Sequence, residues 1–123
     1  MGSPVTTIGT PRRGYVAFSV QVTTTATSLL ALALTQLGLK LPGACRELQI
    51  QVDPEVAPGG TVRIGDGSLG TTVGGFVQKG VSLIAGTSSD TWRGSGANNC
   101  YPGSMYLQTT AGTAIVNVQF LDY

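Results

Sequence analysis

Alternation of apolar and polar residues is the main pattern along this chain. It runs through residues 15–25, where Val16, Phe18, Val20 and Val22 are separated by small or polar residues. It recurs in residues 45–53 ("CRELQIQVD") and, less cleanly, in residues 113–123 ("TAIVNVQFLDY"). Side chains of a β-strand point to opposite faces with a period of two. Each stretch therefore predicts a strand with at least one buried face, and the last strand carries apolar residues in both phases.

Shorter segments of the same type lie between turns rich in glycine and proline. They cover residues 61–65, 71–78 ("TTVGGFVQ"), 80–86 ("GVSLIAG") and 104–110, and we expect the last to form a hairpin with the C-terminal strand. Residues 28–41 fit both alternation and a helical turn, which indicates a short helical or irregular link. The sum is seven or eight short strands without a long helix. This predicts an all-β fold, an antiparallel β-sandwich of jelly-roll type.

Two segments show no periodicity. Residues 1–13 hold two prolines and two glycines, and we expect an extended N-terminal arm followed by a single β-sandwich domain over residues 14–123. Residues 87–103 ("TSSDTWRGSGANNCYPG") predict one long loop. Loops of that length in a compact domain are usually functional or disordered.

Composition narrows the classes of function. The chain has 123 residues, which fits one domain, and only 11% are charged, with a net charge of +1. No basic field exists for nucleic acid, and no apolar stretch is long enough for a bilayer, so we expect neither partner. Histidine is absent, which excludes His-based catalysis and His-containing metal sites. Cys45 and Cys100 are interpreted as free, partly buried thiols, although a disulfide between them stays open.

The stretch "RIGDGSLGT" (63–71) contains a possible nucleotide-binding pattern. Gly65, Gly67 and Gly70 fit G-x-G-x-x-G, and Asp90 follows about 20 residues later. The fingerprint needs a helix that opens at the glycines, and two strands follow instead. We therefore predict that these glycines serve turns with positive φ and that the chain binds no cofactor.

The acidic residues give no catalytic pair. Asp53 and Asp66 flank the turn at 54–60 and are interpreted as turn residues that accept hydrogen bonds from their own backbone, rather than as catalytic acids or calcium ligands. We assign no catalytic and no metal-binding residue, and we predict that the chain is not an enzyme.

The candidate interface residues are Arg12, Arg13, Trp92, Arg93 and Tyr101. Trp, Tyr and Arg dominate the binding energy of protein interfaces, so the 87–103 loop and the arm are the predicted contact elements. Two alternatives stay open for Trp92. It either folds back onto the core, or it stacks on a sugar beside Asp90, Asn98 and Asn99.

The order of motifs over about residues 44–120 resembles small head decoration, or cement, proteins of tailed bacteriophages. The matching residues are Ile64-Gly65-Asp66, Gly80 to Leu83, Tyr106-Leu107, Ala111-Gly112-Thr113 and Val116-Asn117-Val118. The resemblance implies a jelly-roll protein without catalytic residues. The 87–103 loop is longer than the resemblance leads us to expect.

The resemblance implies a structural virion protein that binds the outside of a phage capsid and stabilises the shell by bridging capsid subunits. Its partners would be the major capsid protein and further copies of itself, as a homodimer or homotrimer. We expect the protein to be made in the host cytoplasm and to lie on the capsid exterior. The alternative is a carbohydrate-binding or host-attachment module of similar fold. Low charge and many Thr and Gly residues suit a protein whose function is contact.

Overall fold

A computed structural model describes the backbone of residues 14–56, 59–84 and 91–122. One helix and ten strands occur in these ranges, in the order β1 (Gly14–Val22), β2 (Thr27–Ser28), α1 (Leu29–Leu37), β3 (Cys45–Val52), β4 (Val62–Gly65), β5 (Thr72–Val73), β6 (Phe76–Val77), β7 (Val81–Leu83), β8 (Thr91–Cys100), β9 (Tyr106–Thr109) and β10 (Ala114–Asp122). The predicted all-β fold is confirmed. The predicted arm at residues 1–13 lies outside the described residues.

Eight of the strands form two four-stranded sheets, and every strand pair is antiparallel. The first sheet has the order β1-β10-β3-β8 and the second has the order β2-β9-β4-β7. Strands β5 and β6 form a separate hairpin. Buried residues from both four-stranded sheets belong to one hydrophobic cluster, so the predicted β-sandwich is confirmed.

The alternation seen in the sequence explains the core. Strand β3 has the burial pattern of a one-sided strand, with Leu48, Ile50 and Val52 buried and the residues between them partly or fully exposed. In the same way β10 buries Val116, Val118 and Phe120, and it lies between β1 and β3. The ring of Phe120 packs edge-on against Phe18 of β1, with ring centroids 6.3 Å apart. Strand β10 is therefore central, but only one of its faces is buried.

The ambiguous segment at 28–41 contains helix α1. The Ser28 hydroxyl accepts a hydrogen bond from the Ala31 N–H (3.1 Å), and Gly38 ends the helix with φ at 66°. Both are favourable helix caps. The side-chain amide of Gln36 exchanges two hydrogen bonds with the backbone of Gln21, at 2.8 and 2.7 Å. Since β1 is an edge strand, the helix covers part of a sheet edge that would otherwise be open.

Two predictions about the second half of the chain are wrong. The predicted loop at 87–103 contains the ten-residue strand β8, which pairs with β3. Its residues lack alternation, so the backbone partner rather than side-chain pattern places them in the sheet. The expected hairpin of the last two strands is also absent, because β9 and β10 belong to different sheets. The chain crosses from one layer of the sandwich to the other near Ala111 and Gly112.

Candidate interaction surface

The glycine-rich stretch forms a turn that leads into a hairpin. The Asp66 carboxylate accepts hydrogen bonds from the N–H (2.8 Å) and hydroxyl (2.6 Å) of Ser68. These bonds lower the pKa of Asp66, the hydroxyl having the larger effect. Leu69 is buried at the centre of the turn and donates its N–H to the Asp66 carbonyl (3.0 Å). The interpretation of Asp66 as a turn residue is confirmed.

Of the three motif glycines, only Gly70 has a positive φ, at 82°. Gly65 and Gly67 do not, so the prediction of positive φ is wrong for those two. A Cβ on Gly67 would lie 3.8 Å from the Tyr106 ring, an ordinary contact distance. The residues after the motif form strands and no helix, as the sequence predicted, although residues 71–78 form the two short strands β5 and β6 rather than one strand.

The element after the turn, residues 71–78, is here called the 71–78 hairpin. Gly74 and Gly75 have φ of 63° and 85°, which is the requirement of a type I′ turn. The Gln78 N–H donates to the Thr71 carbonyl (2.8 Å), and the Gln78 carbonyl accepts from the Gly70 N–H (2.8 Å). The Gln78 side-chain amide also donates to the Phe76 carbonyl at 3.2 Å. These bonds fix the hairpin at its base and along one strand.

The hairpin presents apolar side chains to solvent. Every residue from 71 to 77 is exposed, and Phe76 is 75% exposed, the highest value among the large hydrophobic residues described. Val73 and Val77 are about half exposed, as are Val81 of β7 and Ile84 just after it. No charged residue occurs between Thr71 and Gln78. An apolar, uncharged, hydrogen-bonded projection is typical of a protein contact site.

Gly80 anchors the hairpin to the sandwich. Its φ is 57°, and a Cβ at this position would overlap the carbonyl oxygen of Ile64 and lie 2.8 Å from the carbonyl carbon. Ile64 and Val81 pair in adjacent strands β4 and β7. Only glycine therefore allows the chain to leave the hairpin and enter β7 so close to β4.

Two shallow depressions join the hairpin base to Tyr101. One, of about 210 Å³, includes Asp66, Gln78 and Gly80 in its wall. The other, of about 330 Å³, includes Asp66, Cys100 and Tyr101. Gly65 and Asp66 belong to both walls, so the two depressions adjoin. Tyr101 is 53% exposed, and it is the one predicted interface residue whose side chain can be placed beside this surface.

Of the other four predicted interface residues, the structure describes the backbone of two, Trp92 and Arg93. Arg12 and Arg13 lie outside the described residues. Trp92 and Arg93 lie in β8, where their backbones pair with Ile50 and Gln49. They are therefore neighbours on a strand rather than members of a loop. Their role as contact residues stays a prediction.

Asp53 also lies in a turn. The Asp53 carboxylate accepts a hydrogen bond from the Glu55 N–H (2.8 Å), which confirms its interpretation as a turn residue. No cluster of three or more His, Cys, Asp or Glu residues that could hold a metal occurs in the described ranges. Across those same ranges, no helix is both long and apolar enough to cross a membrane.

The outer face of the first sheet is polar and uncharged at its centre. The Ser19 hydroxyl donates to the Asn117 amide oxygen (2.6 Å), and the Gln119 amide donates to the Gln49 amide oxygen (3.0 Å). These side chains and Gln51 line a depression of about 310 Å³. Amide and hydroxyl groups of this kind can bind a neutral, hydroxyl-rich ligand.

Sequence reasoning predicted one strand over 71–78, where the structure has a hairpin of two short strands, and it did not single out Phe76 as a functional candidate. The Gly74-Gly75 pair between Val73 and Phe76 is a strong hairpin signal. The exposure of the side chains has no such signal, since it depends on where the hairpin stands relative to the sandwich.

Comparison with protein-family models, with curated proteins and with solved structures gave no match to this chain.

Proposed function

We propose that this chain is a structural protein of a bacteriophage head, which binds the outside of the capsid and bridges its subunits. The observation that carries the proposal is the 71–78 hairpin. It holds Phe76 and Val73 in solvent on a hydrogen-bonded β-ribbon, at the edge of a sandwich with few charges. Burial of such side chains against a second protein is the main favourable term in association.

The strand order supports the same proposal. Along the chain, the strands of the first sheet are separated by strands of the second, with β2 between β1 and β3, β4 and β7 between β3 and β8, and β9 between β8 and β10. We infer a jelly-roll arrangement, in which eight strands are divided between two sheets in this manner. That is the fold which the resemblance to head decoration proteins implies.

A small contact area on each copy is enough for binding to a capsid, because the contact is repeated many times. A capsid offers many identical copies of each surface, and an oligomer of this chain would engage several of them together. In this proposal the hairpin supplies one contact, and the arm with Arg12 and Arg13 supplies another on an acidic shell surface. The partners are therefore the major capsid protein and further copies of this chain.

A sugar-binding module is the second candidate. It is favoured by the polar outer face of the first sheet, where Ser19, Asn117 and Gln49 surround a depression without a central charge. On this alternative the chain would bind a host or capsid-associated glycan through its sheet face, and the hairpin would be dispensable.

The test uses phage heads assembled without this protein and the purified full-length chain. Wild type should bind the heads at saturable occupancy and raise the temperature at which they release their DNA. Phe76→Ser removes an aromatic side chain worth about 2 kcal/mol when fully buried, so its dissociation constant should rise roughly 30-fold. Occupancy is measured by sedimentation of heads with bound protein.

Leu34→Ser is the matched control, because Leu34 is also about half exposed but lies on helix α1, away from the hairpin. It should bind heads as wild type does. If Phe76→Ser binds as tightly as Leu34→Ser, the hairpin is not the contact. If wild type binds no heads but binds neutral glycans on an array, the sugar-binding candidate replaces the proposal.

A further inference from the structure

Cys45 and Cys100 lie directly opposite each other at one end of the β3–β8 pair. They are 55 positions apart in sequence, yet the register of the two antiparallel strands makes them Cα partners. Both side chains are buried, and neither cysteine forms a disulfide in this structure. A hydrogen bond with the Cys45 side chain acts to lower the pKa of the Cys100 thiol, as expected for side chains of directly paired residues.

This geometry meets the requirements of a disulfide. Opposite residues of antiparallel strands have Cα atoms about 4.5 or 5.5 Å apart, depending on the type of pair. Disulfides span Cα separations of about 4.4 to 6.8 Å, so either type of pair lies within reach without movement of the backbone. Thiols of residues paired in this way need only side-chain rotations to form the bond.

A disulfide at this position would stabilise an irregular end of the β3–β8 pair. Between the Cys45–Cys100 pair and the next pair, Glu47 and Ser95, the register shifts. Strand β3 has the single residue Arg46 there, whereas β8 has residues 96–99. Strand β8 is the edge of its sheet and is rich in glycine, and such strands have weakly specified register. A covalent link between Cys45 and Cys100 would hold the two strands together at this irregular end.

An oxidant can reach the Cys100 thiol, but the thiol should react with it slowly. Cys100 lines the depression of about 330 Å³ that also includes Tyr101 and Met105, so a small oxidant can approach its sulfur from the surface. Burial raises the pKa of the Cys100 thiol, although the Cys45 hydrogen bond acts in the opposite direction. The Cys100 thiol also lies 4.0 Å from the Arg46 carbonyl oxygen, to which it donates. Protonated thiols react slowly, so the pair stays reduced wherever reductants are abundant.

We propose that Cys45 and Cys100 are a modification site, at which a peroxide converts the folded chain to a form with one internal disulfide that fixes β8 to β3. The Cys100 sulfur attacks a peroxide oxygen and the O–O bond breaks, which gives a sulfenic acid and one water. The Cys45 sulfur then attacks the Cys100 sulfur and displaces the hydroxyl group, which leaves as a second water with the Cys45 proton. Two electrons from the thiols reduce one peroxide to two waters.

The disulfide should stabilise the fold, because it closes a loop of about 55 residues in the unfolded chain. For a domain of this size the gain corresponds to a rise in the melting temperature of roughly 5 to 15 °C. Backbone amides of residues 91–100 should exchange with solvent more slowly in the oxidised form. A general increase in stability would slow exchange in all strands alike, so a link that fixes β8 should slow residues 91–100 more than β1 or β10.

The test starts from full-length, fully reduced protein under native conditions, treated with one equivalent of hydrogen peroxide. Intact mass should fall by about 2 Da, titratable thiols should fall from two to none, and peptide mapping without reductant should find the Cys45–Cys100 link. The melting temperature should rise as given above and return to its starting value after reduction. Cys45→Ser and Cys100→Ser are the controls, and neither should show the rise.

Three results would overturn the proposal. One is that both thiols still titrate after peroxide treatment of the folded protein. Another is a gain of oxygen in mass without a link between the two cysteines. The third is a link that forms but leaves both the melting temperature and the exchange of residues 91–100 unchanged. Because wild type carries the main measurement, a folding defect in either control variant does not remove the test.

Discussion

Gly80→Ala tests the close approach of Gly80 to the backbone of β4, which holds the 71–78 hairpin on the sandwich. The substitution adds one methyl group and changes no charge or hydrogen-bonding group. It acts in two ways. An L-residue at a φ of 57° is disfavoured by about 1 to 2 kcal/mol. In addition the new Cβ would overlap the Ile64 carbonyl oxygen and lie 3.1 Å from the Gly65 Cα, both of which belong to the backbone of β4.

Backbone atoms cannot rotate away, so β4 and β7 must separate near the Ile64–Val81 pair. Forced displacement of packed atoms typically costs about 1 to 3 kcal/mol. The sum is a loss of about 2 to 5 kcal/mol, which is a large part of the roughly 5 to 15 kcal/mol that stabilises an ordinary domain. Binding to heads should fall as well, because the base of the hairpin moves.

Two glycines of this chain serve as matched controls. Gly74 has a φ of 63°, but a methyl group added there would meet no other part of the chain within 4 Å, so Gly74→Ala should lose only the conformational part, about 1 kcal/mol. Gly103 has open space and no positive φ, so Gly103→Ala should change stability by less than about 0.5 kcal/mol. Gly67→Ala belongs to the same neutral class.

The assay is equilibrium unfolding in urea followed by circular dichroism, with the slope against urea concentration compared among the variants. The expected order of lost stability is Gly80→Ala, then Gly74→Ala, then Gly103→Ala. Equal losses at Gly80 and Gly74 would refute the reasoning, because they would show that contact with Ile64 contributes nothing beyond the value of φ.

Two further predictions concern the helix cap and the turn. Ser28→Ala should lower the free energy of unfolding by about 1 kcal/mol, since the Ala31 N–H loses its acceptor. Ser28→Thr keeps a hydroxyl acceptor, so in the same urea assay its free energy of unfolding should stay close to that of wild type. The lowered pKa of Asp66 means that its contribution to stability is complete above its ordinary pKa of 3.8 and is lost as the pH falls through the lowered value. Asp66→Asn keeps an acceptor for Ser68 but does not titrate. The difference in free energy of unfolding between wild type and this variant should therefore shrink as the pH falls. A difference that stays constant between about pH 6 and pH 2 would contradict this.

The elements with one buried face were predictable from the sequence. In β1, β3 and β10 the apolar residues recur at every second position, and burial of that face is the largest favourable term in folding. The roles of the turn residues were also predictable, because they depend on residues close by in the sequence. Asp66 accepts hydrogen bonds from a residue two positions along the chain, and Asp53 does the same, so no distant contact is needed to place them.

Strand β8 shows where local reasoning fails. Its sequence, with Gly94, Gly96 and two asparagines, has the composition of a loop, and only the hydrogen-bonding edge of β3 makes it a strand. The meeting of Cys45 with Cys100 follows from that same pairing. Residues so far apart in sequence become neighbours through strand register, and register is set by the whole sheet.

Exposure of the candidate contact residues is likewise a property of the tertiary structure. The sequence analysis predicted a single strand over 71–78, but the sequence does contain the cause of the hairpin, because a type I′ turn needs two residues of positive φ and Gly74 and Gly75 supply them. It did not determine whether Phe76 packs inward or stands in solvent, since an apolar side chain is equally compatible with either. That was decided by Gly80 and β4, which place the base of the hairpin at the sheet edge, where no second layer covers it.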